Sequence, residues 1–421
     1  MRKSLAAVCL LPVVLLAQDS VTTLTGQALV SGASNGPVTT ALFNDPAALV
    51  ADASGNLFIA DSRNHVIRKI ATNGTVSTFA GNAGAPGAGD SPARFDMPSG
   101  IALAPNGDLY VSDTGNHTIR RITPAGAVTT FAGMAGQNGF TDGAGASARF
   151  NSPLGLAVAA DRTIFVADSG NHLVRAIAPD RTVTTLAGRP ETWGVEDGAG
   201  GAARFNGPLG VAVDQAGDLF VSDSNNHTIR KIMRAGMVMT WAGVPGVDGS
   251  NDGERLAATF SKPAELAFDK HGNLFVADSF NHLLRKISSG GKVSTVTGVA
   301  GADGSADGSN GEARLFNPYG LAICPDGSLI VSDAYNQLIR IVLAPFNVAV
   351  HMSGVKASIS WESLIGKTYQ PQYQNELGLG SWLSLGPTIT ATNLNTSVAD
   401  TSPEVAGRRI YRAVILQPDS N

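Results

Sequence analysis

One set of polar residues recurs along the chain, and its members could do acid–base chemistry or hold a metal ion. Each copy has an aspartate, then an Asn-His pair, then an arginine three residues after the histidine. A carboxylate close to an imidazole is an arrangement that general acid–base catalysis and metal binding both use. The histidines are His65, His117, His172, His227 and His282, with Gln337 in the sixth copy.

The regular recurrence of this set favours a structural role over a catalytic one. A side chain present in every copy is most simply explained by what every copy needs in order to fold. The turn after a strand leaves backbone groups unpaired, and Asp and Asn side chains cap such turns. We expect the histidine and the arginine to donate hydrogen bonds to carbonyl groups or to the aspartate. A ligand site is therefore sought where the copies differ.

Two positions in the repeated unit vary in a way that suggests binding. The third residue of the loop that follows the repeated aspartate is, in order, Arg63, Gly115, Gly170, Asn225, Phe280 and Tyr335. The residue after the proline that begins each unit is, in order, Ala47, Ser99, Leu154, Leu209, Ala264 and Tyr319. One residue further on, Glu265 stands where most copies have glycine.

These differences predict a ligand-binding set of Arg63, Trp193, Glu265, Phe280, Tyr319 and Tyr335. Trp193 belongs to a long linker, where an aromatic side chain can meet a ligand or fold back over apolar surface. The alternative interpretation is that the whole set only packs over neighbouring loops. No residue is predicted to be catalytic, because apart from His271 the histidines before the tail all occupy the repeated position.

Internal repetition indicates which elements position these residues. The repeated phrases are "DSRNHVIRKI", "DTGNHTIRRI", "DSGNHLVRAI", "DSNNHTIRKI", "DSFNHLLRKI" and "DAYNQLIRIV", and their aspartates lie 52 residues apart once and 55 residues apart four times. Each unit has four short apolar runs separated by Gly, Pro, Asp and Asn, which predicts an antiparallel sheet. Such sheets cover both faces by stacking in a ring. Six units therefore predict a six-bladed β-propeller.

The two ends of the repeat region complement each other. The sixth unit stops after "LIRIVLAP" and lacks its fourth run, whereas the segment 20–26, "SVTTLTG", matches "VTTFAG" and "VTTLAG" of complete units. We expect this N-terminal strand to complete the last blade and so remove an exposed sheet edge. The predicted fold class is all-β, a propeller of four-stranded blades closed in this way and followed by a small β-sandwich.

The strand-b aspartate, the Asn-His pair and the following Ile-Arg resemble the NHL repeat family over about residues 20 to 343. The resemblance implies a six-bladed propeller. Propellers similar to this one include a peptide-amidating lyase, whose zinc-binding histidines follow the proline, and sugar lactonases with a metal in the channel. None of the six residues after the proline is a histidine here, so we expect the zinc site of the lyases to be absent.

After Pro345 the repeated phrase does not return, and the predicted domains are a signal peptide at 1–17, the propeller at 18–345 and a small β domain at 346–421. In this tail Trp361, the stretch from Tyr369 to Tyr373 and the late "IYRAVIL", which contains Tyr411, are similar in spacing to a fibronectin type III sandwich, a module found at the C-termini of bacterial exported proteins. We expect them to form a hydrophobic core rather than a site.

The first 17 residues predict export. A short basic start, Arg2 and Lys3, precedes an apolar run and Ala17, which is typical of a cleaved secretory signal and too short to span a membrane. Acylation at Cys9 is the less favoured alternative, because Val8 precedes it and it lies inside the apolar run. We expect a periplasmic or extracellular protein without a membrane span. Cys324 would be its sole cysteine, which excludes an intramolecular disulfide bond.

Charge excludes one class of partner. Only 15% of residues are charged and the net charge is -4, so no basic surface is available to hold a phosphate backbone, and no nucleic acid is expected. The ligand expected at the mouth of the channel is a protein, a peptide or a glycan.

No cofactor is expected, although aspartates in linkers such as "FTDGAGASARF" raise the question of calcium. These linkers lack the 12-residue ligand spacing that makes a calcium loop specific. Two functions stay open. The first is a non-catalytic binding scaffold, and the alternative is a lactonase-like or amidating-lyase-like enzyme with a channel metal, for which Glu265 would be the chief carboxylate. Fold alone does not decide between them.

Overall fold

The computed structural model describes residues 20–309, 311–325, 327–343, 348–353, 356–362, 368–374, 383–390, 395–400 and 410–416. Contacts divide the chain into two compact units, one formed by residues 20–343 and the other containing the residues from 344 onward. The first unit consists of six sheets of four or five antiparallel strands. This arrangement confirms the predicted all-β, six-bladed propeller.

Each blade has four main strands, labelled a to d from the propeller axis outward. Strand a begins at a proline and spans Pro46–Ala51, Pro98–Leu103, Pro153–Val158, Pro208–Val213, Pro263–Phe268 and Pro318–Ile323. Strand b spans Leu57–Asp61, Leu109–Asp113, Ile164–Asp168, Leu219–Asp223, Leu274–Asp278 and Leu329–Asp333. Strand c spans Val66–Ile70, Thr118–Ile122, Leu173–Ile177, Thr228–Ile232, Leu283–Ile287 and Leu338–Leu343. Strand d of blades 1 to 5 spans Thr75–Gly81, Val128–Ala132, Thr182–Gly188, Met237–Ala242 and Lys292–Gly298.

The outer strand of blade 6 comes from the N-terminus. Ser20–Thr25 pairs antiparallel with Leu338–Leu343, and the fully buried Val21 lies opposite Val342. The predicted closure of the ring is therefore confirmed. Backbone hydrogen bonds between these two strands therefore join the beginning of the propeller to its end.

A short fifth strand covers the outer edge of strand d in every blade except blade 2. It is supplied by the linker that leads into the same blade, at Gly36–Pro37, Gly143–Ala144, Gly198–Ala199, Gly253–Glu254 and Gly308–Ser309. The linker into blade 2 falls in the 52-residue interval, which is three residues shorter than the others. Its length explains why the fifth strand is missing there.

Each repeated aspartate is the centre of a buried hydrogen-bond network. In blade 3, Asp168 Oδ2 accepts hydrogen bonds at 2.8 Å from both Asn171 Nδ2 and Arg175 Nη1, and its Oδ1 accepts one at 2.7 Å from the backbone N–H of Asn151. Burial raises the pKa of Asp168 to about 6, an effect that the neighbouring Arg175 opposes, so the carboxylate stays ionised at neutral pH. The network ties strands b and c to the loop and the incoming linker, which confirms its predicted structural role.

The repeated histidines join consecutive blades. Each has a left-handed backbone, and its Nδ1 accepts a hydrogen bond from the backbone N–H of the residue before the next blade's proline, as between His117 and Ser152 at 3.1 Å. In the sixth position Gln337 Oε1 accepts the same bond from Asp45. The expectation that the histidine acts as a donor to carbonyls or to the aspartate is thus wrong for Nδ1, because this nitrogen faces a backbone N–H that has no partner in its own strand.

The tail is also made of strands. Val348–Ser353, Lys356–Glu362 and Asn395–Asp400 form one antiparallel sheet, and Thr368–Gln374 pairs with Leu383–Ser384, Ile389–Thr390 and Ile410–Leu416. Tyr369 is buried there. In the part of the chain that the structure describes, no helix has both the length and the apolar character needed to cross a membrane. The predicted signal segment, 1–17, lies outside the described residues.

Candidate functional site

The third residue of strand a forms a ring of small residues at the propeller axis. Its members are Ala48, Gly100, Gly155, Gly210 and Gly320, with Glu265 in blade 5. A Cβ on Gly155 would lie 2.3 Å from the carbonyl oxygen of Leu209 in the next blade, too close for any side chain. The inner strands therefore pack backbone against backbone and leave a narrow channel. Glu265 has the one long side chain of this ring, and that side chain lies in the channel.

Glu265 is buried in this channel, with 7% of its surface exposed. Its Oε1 would be 3.1 Å from a Cβ on Gly155, so the side chain reaches from blade 5 to blade 3. Burial raises its pKa to about 8, although the backbone N–H of Leu266 opposes this by hydrogen bonding to the carboxyl group. At neutral pH Glu265 is therefore mostly protonated. It borders a cavity of about 300 Å³ that strand a residues line.

A second pocket opens where strand a begins, and we name it the mouth pocket. Its volume is about 330 Å³, and it is formed by loops between strands b and c together with the first residues of strand a. These two kinds of segment therefore share one face of the propeller. The residues that line it include Asp45, Asn225, Lys262, Phe280, Asn317, Tyr319 and Tyr335.

Aromatic rings dominate one side of the mouth pocket. Phe280 and Tyr335 are each about half exposed, at 51% and 48%, and they come from equivalent loops of blades 5 and 6. Tyr335 packs edge-on against Phe316 with 5.2 Å between ring centroids, and Phe316 in turn contacts the ring of His282. The corresponding loop positions in blades 2 and 3 are Gly115 and Gly170. The aromatic surface is therefore confined to one side of the mouth.

The charges in the mouth pocket are unequal. The carboxylate of Asp45 forms an ion pair with Arg63, with 3.1 Å between Oδ2 and Nε. Lys262 has no carboxylate within 4 Å among the described residues, and its Nζ lies 4.4 Å from the centroid of the Phe280 ring. Such a cation–π contact positions an ammonium group without neutralising it. The pocket therefore presents an uncompensated positive charge.

Tyr319 connects the mouth pocket with the channel. It is the aromatic residue at the second position of strand a, and it lines the pocket while packing against the apolar clusters that contain Ala47 and Ala264. Burial raises the pKa of its phenol, and Glu265 and Asp45 act in the same direction when they are ionised. Its hydroxyl has no hydrogen-bond partner within the described ranges, so it is available to a ligand.

The structure brings together three of the six residues proposed from sequence. Phe280, Tyr319 and Tyr335 line the mouth pocket. Glu265 lies in the channel and lines the cavity there instead. Arg63 pairs with the pocket residue Asp45 without lining the pocket, and Trp193 is 67% exposed and does not line it.

Sequence reasoning overlooked the residue before the proline of strand a. In order along the chain, this position holds Asp45, Met97, Ser152, Gly207, Lys262 and Asn317. Its variation was visible in the aligned repeats and could have identified Asp45, Lys262 and Asn317. Phe316 was overlooked as well. The equivalent position is polar in the other five blades, so this difference was also visible in the sequence.

The linker aspartates that raised the question of calcium make contacts within the protein. Asp142 Oδ1 accepts hydrogen bonds from Arg175 Nη2 at 2.6 Å and from Thr185 Oγ1 at 3.0 Å. Equivalent contacts occur at Asp90, Asp197, Asp252 and Asp307. These carboxylates extend the buried arginine network to strand d. Among the described residues, no three His, Cys, Asp or Glu side chains are grouped so that they could hold a metal ion.

Comparison with known proteins supports the repeat assignment. The family described as "NHL repeat" matches residues 95–122, 150–177 and 205–232, which contain strands a, b and c of blades 2, 3 and 4. Protein SUPPRESSOR OF QUENCHING 1, chloroplastic, of Arabidopsis thaliana is 30% identical over 276 residues, which are 61% of this chain and 26% of that protein. NHL repeat-containing protein 2 of Bos taurus is 29% identical over 329 residues, 69% of this chain and 45% of that protein.

The chain spans less than half the length of either relative. Among solved structures, an auxiliary nutrient binding protein from Bacteroides thetaiotaomicron superposes with a TM-score of 0.60 at 15% identity, covering 78% of this chain and 77% of that chain. At this identity the likeness concerns the fold alone.

Proposed function

We propose that this chain, which belongs to the NHL-repeat β-propeller family, is a non-catalytic binding protein whose ligand occupies the mouth pocket. One observation carries the proposal. The six blades share the same four main strands, yet Phe280, Tyr319 and Tyr335 converge on one side of the mouth with Lys262. Side chains that depart from the repeat at a concave, partly apolar site are the usual signature of a ligand pocket.

The repeated polar residues support a binding role rather than catalysis. The buried aspartates and arginines hold strands and linkers together, and the histidines hold consecutive blades together, so these groups are committed to the scaffold. The rival function is a hydrolase or lyase of the lactonase or amidating-lyase kind. The observation that favours it is Glu265, a buried carboxyl group that is mostly protonated at pH 7 and could act as a proton donor.

Export and the tail complete the proposal. Residues 1–17 serve as a secretory signal, so the propeller works in the periplasm or outside the cell, where it meets a protein, peptide or glycan ligand. The tail from 346 to 421 is a fibronectin type III-like module that acts as a spacer or attachment domain. Its antiparallel strands are consistent with such a module, since a sandwich is built from sheets of this kind.

A binding screen tests the function. The mature chain is titrated with glycan and peptide panels, and each hit is repeated with Phe280→Gly and Tyr335→Gly, which place in these loops the residue that Gly115 and Gly170 already provide. We expect affinity to fall about tenfold or more in both variants, as for the loss of an aromatic contact at the centre of a site. Phe140→Ser, which removes a comparably exposed ring outside the pocket, is the matched control.

Two outcomes would overturn the proposal. Ligands that bind equally well to the wild type and to both pocket variants would place the site elsewhere, and loss of binding in Trp193→Ala would direct attention to that linker. Turnover of a bound ester, lactone or peptide that disappears in Glu265→Gln would favour the enzyme instead.

A further inference from the structure

We propose that the mouth pocket takes an acidic sugar, a hexuronate unit at the end of an oligosaccharide, whose carboxylate pairs with Lys262 and whose ring stacks on Tyr335. This inference rests on the proposed binding function and specifies the ligand class. Three features of the pocket carry it: the unbalanced charge, the orientation of the aromatic surfaces, and the polar groups around them.

The charge of the pocket selects an anion. Asp45 is already neutralised by Arg63, whereas Lys262 has no acidic partner among the described residues. The protein as a whole carries a net charge of -4, so a free lysine in a concave site is not a consequence of a basic surface. A carboxylate that reaches Lys262 would gain a charge-assisted hydrogen bond in a partly desolvated place.

The two exposed rings have different roles. The ammonium group of Lys262 lies over Phe280, so this ring positions the cation. Tyr335 makes an edge contact with Phe316, which fixes its orientation and leaves nearly half of its surface open. A held, exposed aromatic ring can stack against the C–H groups of a pyranose, because those C–H groups form an apolar patch on a polar molecule. Tyr335 is therefore the platform for the sugar ring.

The polar groups around the rings suit a ligand rich in hydroxyl groups. The amides of Asn225 and Asn317 can both donate and accept hydrogen bonds, and both residues line the pocket. The Tyr319 hydroxyl adds a group without a partner within the described ranges. A pocket of about 330 Å³ is at the small end of ligand sites, so it accommodates the end of a chain rather than a folded surface.

The test compares oligogalacturonate with the neutral galacto-oligosaccharide of the same length and with a short acidic peptide, using calorimetry on the mature chain. We expect oligogalacturonate to bind about tenfold or more tightly than its neutral counterpart, which is the effect of one charge-assisted hydrogen bond. Lys262→Gln should abolish this preference and keep the weak binding of the neutral sugar, and Lys262→Arg should restore it. Tyr335→Gly should remove binding of both sugars.

Lys270→Gln is the matched control, because Lys270 is an exposed lysine of the same blade outside the pocket. The inference is wrong if both sugars bind equally, if Lys262→Gln leaves the preference unchanged, or if the acidic peptide alone binds. If both sugars bind equally, or if only the acidic peptide binds, the proposed binding function still holds as long as that binding depends on Tyr335. If no sugar or peptide binds in a way that depends on Tyr335, both the ligand class and the binding function fail.

Discussion

His282 Nδ1 accepts a hydrogen bond at 3.2 Å from the backbone N–H of Asn317, a residue of the next blade. The Nδ1 atoms of His65, His117, His172 and His227 accept the equivalent bond. Because a protonated imidazole cannot accept at Nδ1, these five contacts depend on neutral histidine. In the sixth contact the backbone N–H of Asp45 donates to Gln337 Oε1, and this bond does not depend on pH in this way.

Acidification is therefore expected to weaken the joints between blades. Burial lowers the pKa of His117, His172, His227 and His282 below the ordinary 6.5. A folded-state pKa below the unfolded one means that the contribution is present above pH 6.5 and is lost as the pH falls through the folded value. Each lost bond should cost about 0.5–1.5 kcal/mol. The difference in thermal unfolding between wild type and a variant with glutamine at these positions, from pH 5 to 7.5, measures this loss. The difference is needed because the buried aspartates, with pKa values raised to about 6, gain stability as the pH falls over the same range.

The triple variant His172→Gln, His227→Gln and His282→Gln should lose less stability on acidification than the wild type, since glutamine can replace the acceptor as Gln337 does. His271→Gln, a change at an exposed turn, is the control. If the triple variant and the wild type show the same pH dependence, the histidine bonds do not contribute to stability.

Glu265 should affect stability in the opposite direction. Its folded-state pKa of about 8 lies above the ordinary 4.5, so its contribution is present below pH 4.5 and is lost as the pH rises through 8. Relative to wild type, Glu265→Gln should become more stable by at most about 1.4 kcal/mol per pH unit across this range. Urea unfolding at pH 5, 7 and 8.5 checks this, with the exposed Glu254→Gln as control. A difference that does not grow with pH would mean that Glu265 is ionised throughout.

Removal of the buried aspartate of one blade should be much more costly than removal of its linker partner. Asp168→Ala leaves the buried Arg175 charge without its strand-b carboxylate, for which we expect a loss of about 3–5 kcal/mol. Asp142 contacts the same arginine, but its side chain is 48% exposed, and Asp142→Ala should cost about 1 kcal/mol. Chemical denaturation of both variants measures the difference. Equal losses would contradict the view that burial makes the first pair critical.

Deletion of residues 20–26 should prevent a stable monomer. Without this strand, Leu338–Leu343 would become an exposed edge and the apolar cluster that contains Val21 would open. Size-exclusion chromatography with light scattering and thermal unfolding report the result. Val21→Asp should act in the same direction, and Thr22→Ala, a change at a partly exposed neighbour, should not. An unchanged melting temperature after the deletion would refute the closure as a source of stability.

The amino-acid sequence alone determined the repeated architecture. The six phrases, the four apolar runs in each unit and the match between "SVTTLTG" and the outer strands predicted the blades and their closure, because a blade is specified by local patterns that recur in register. The sequence also indicated that the loop residues Phe280 and Tyr335 depart from the repeat. From the sequence the repeated aspartates were assigned a structural role, and their buried hydrogen-bond networks support that role.

Only the tertiary structure decided which of these residues meet. Asp45 and Tyr335 are far apart along the chain, and they line one pocket because the ring brings blade 6 beside blade 1. Glu265 and Tyr319 are at adjacent positions of equivalent strands, yet the close approach of inner strands buries the first in the channel and leaves the second at the mouth. The acceptor role of the histidines likewise depends on the neighbouring blade. Contacts of this kind are set by how whole sheets stack around an axis, and a pattern within one repeat does not contain that geometry.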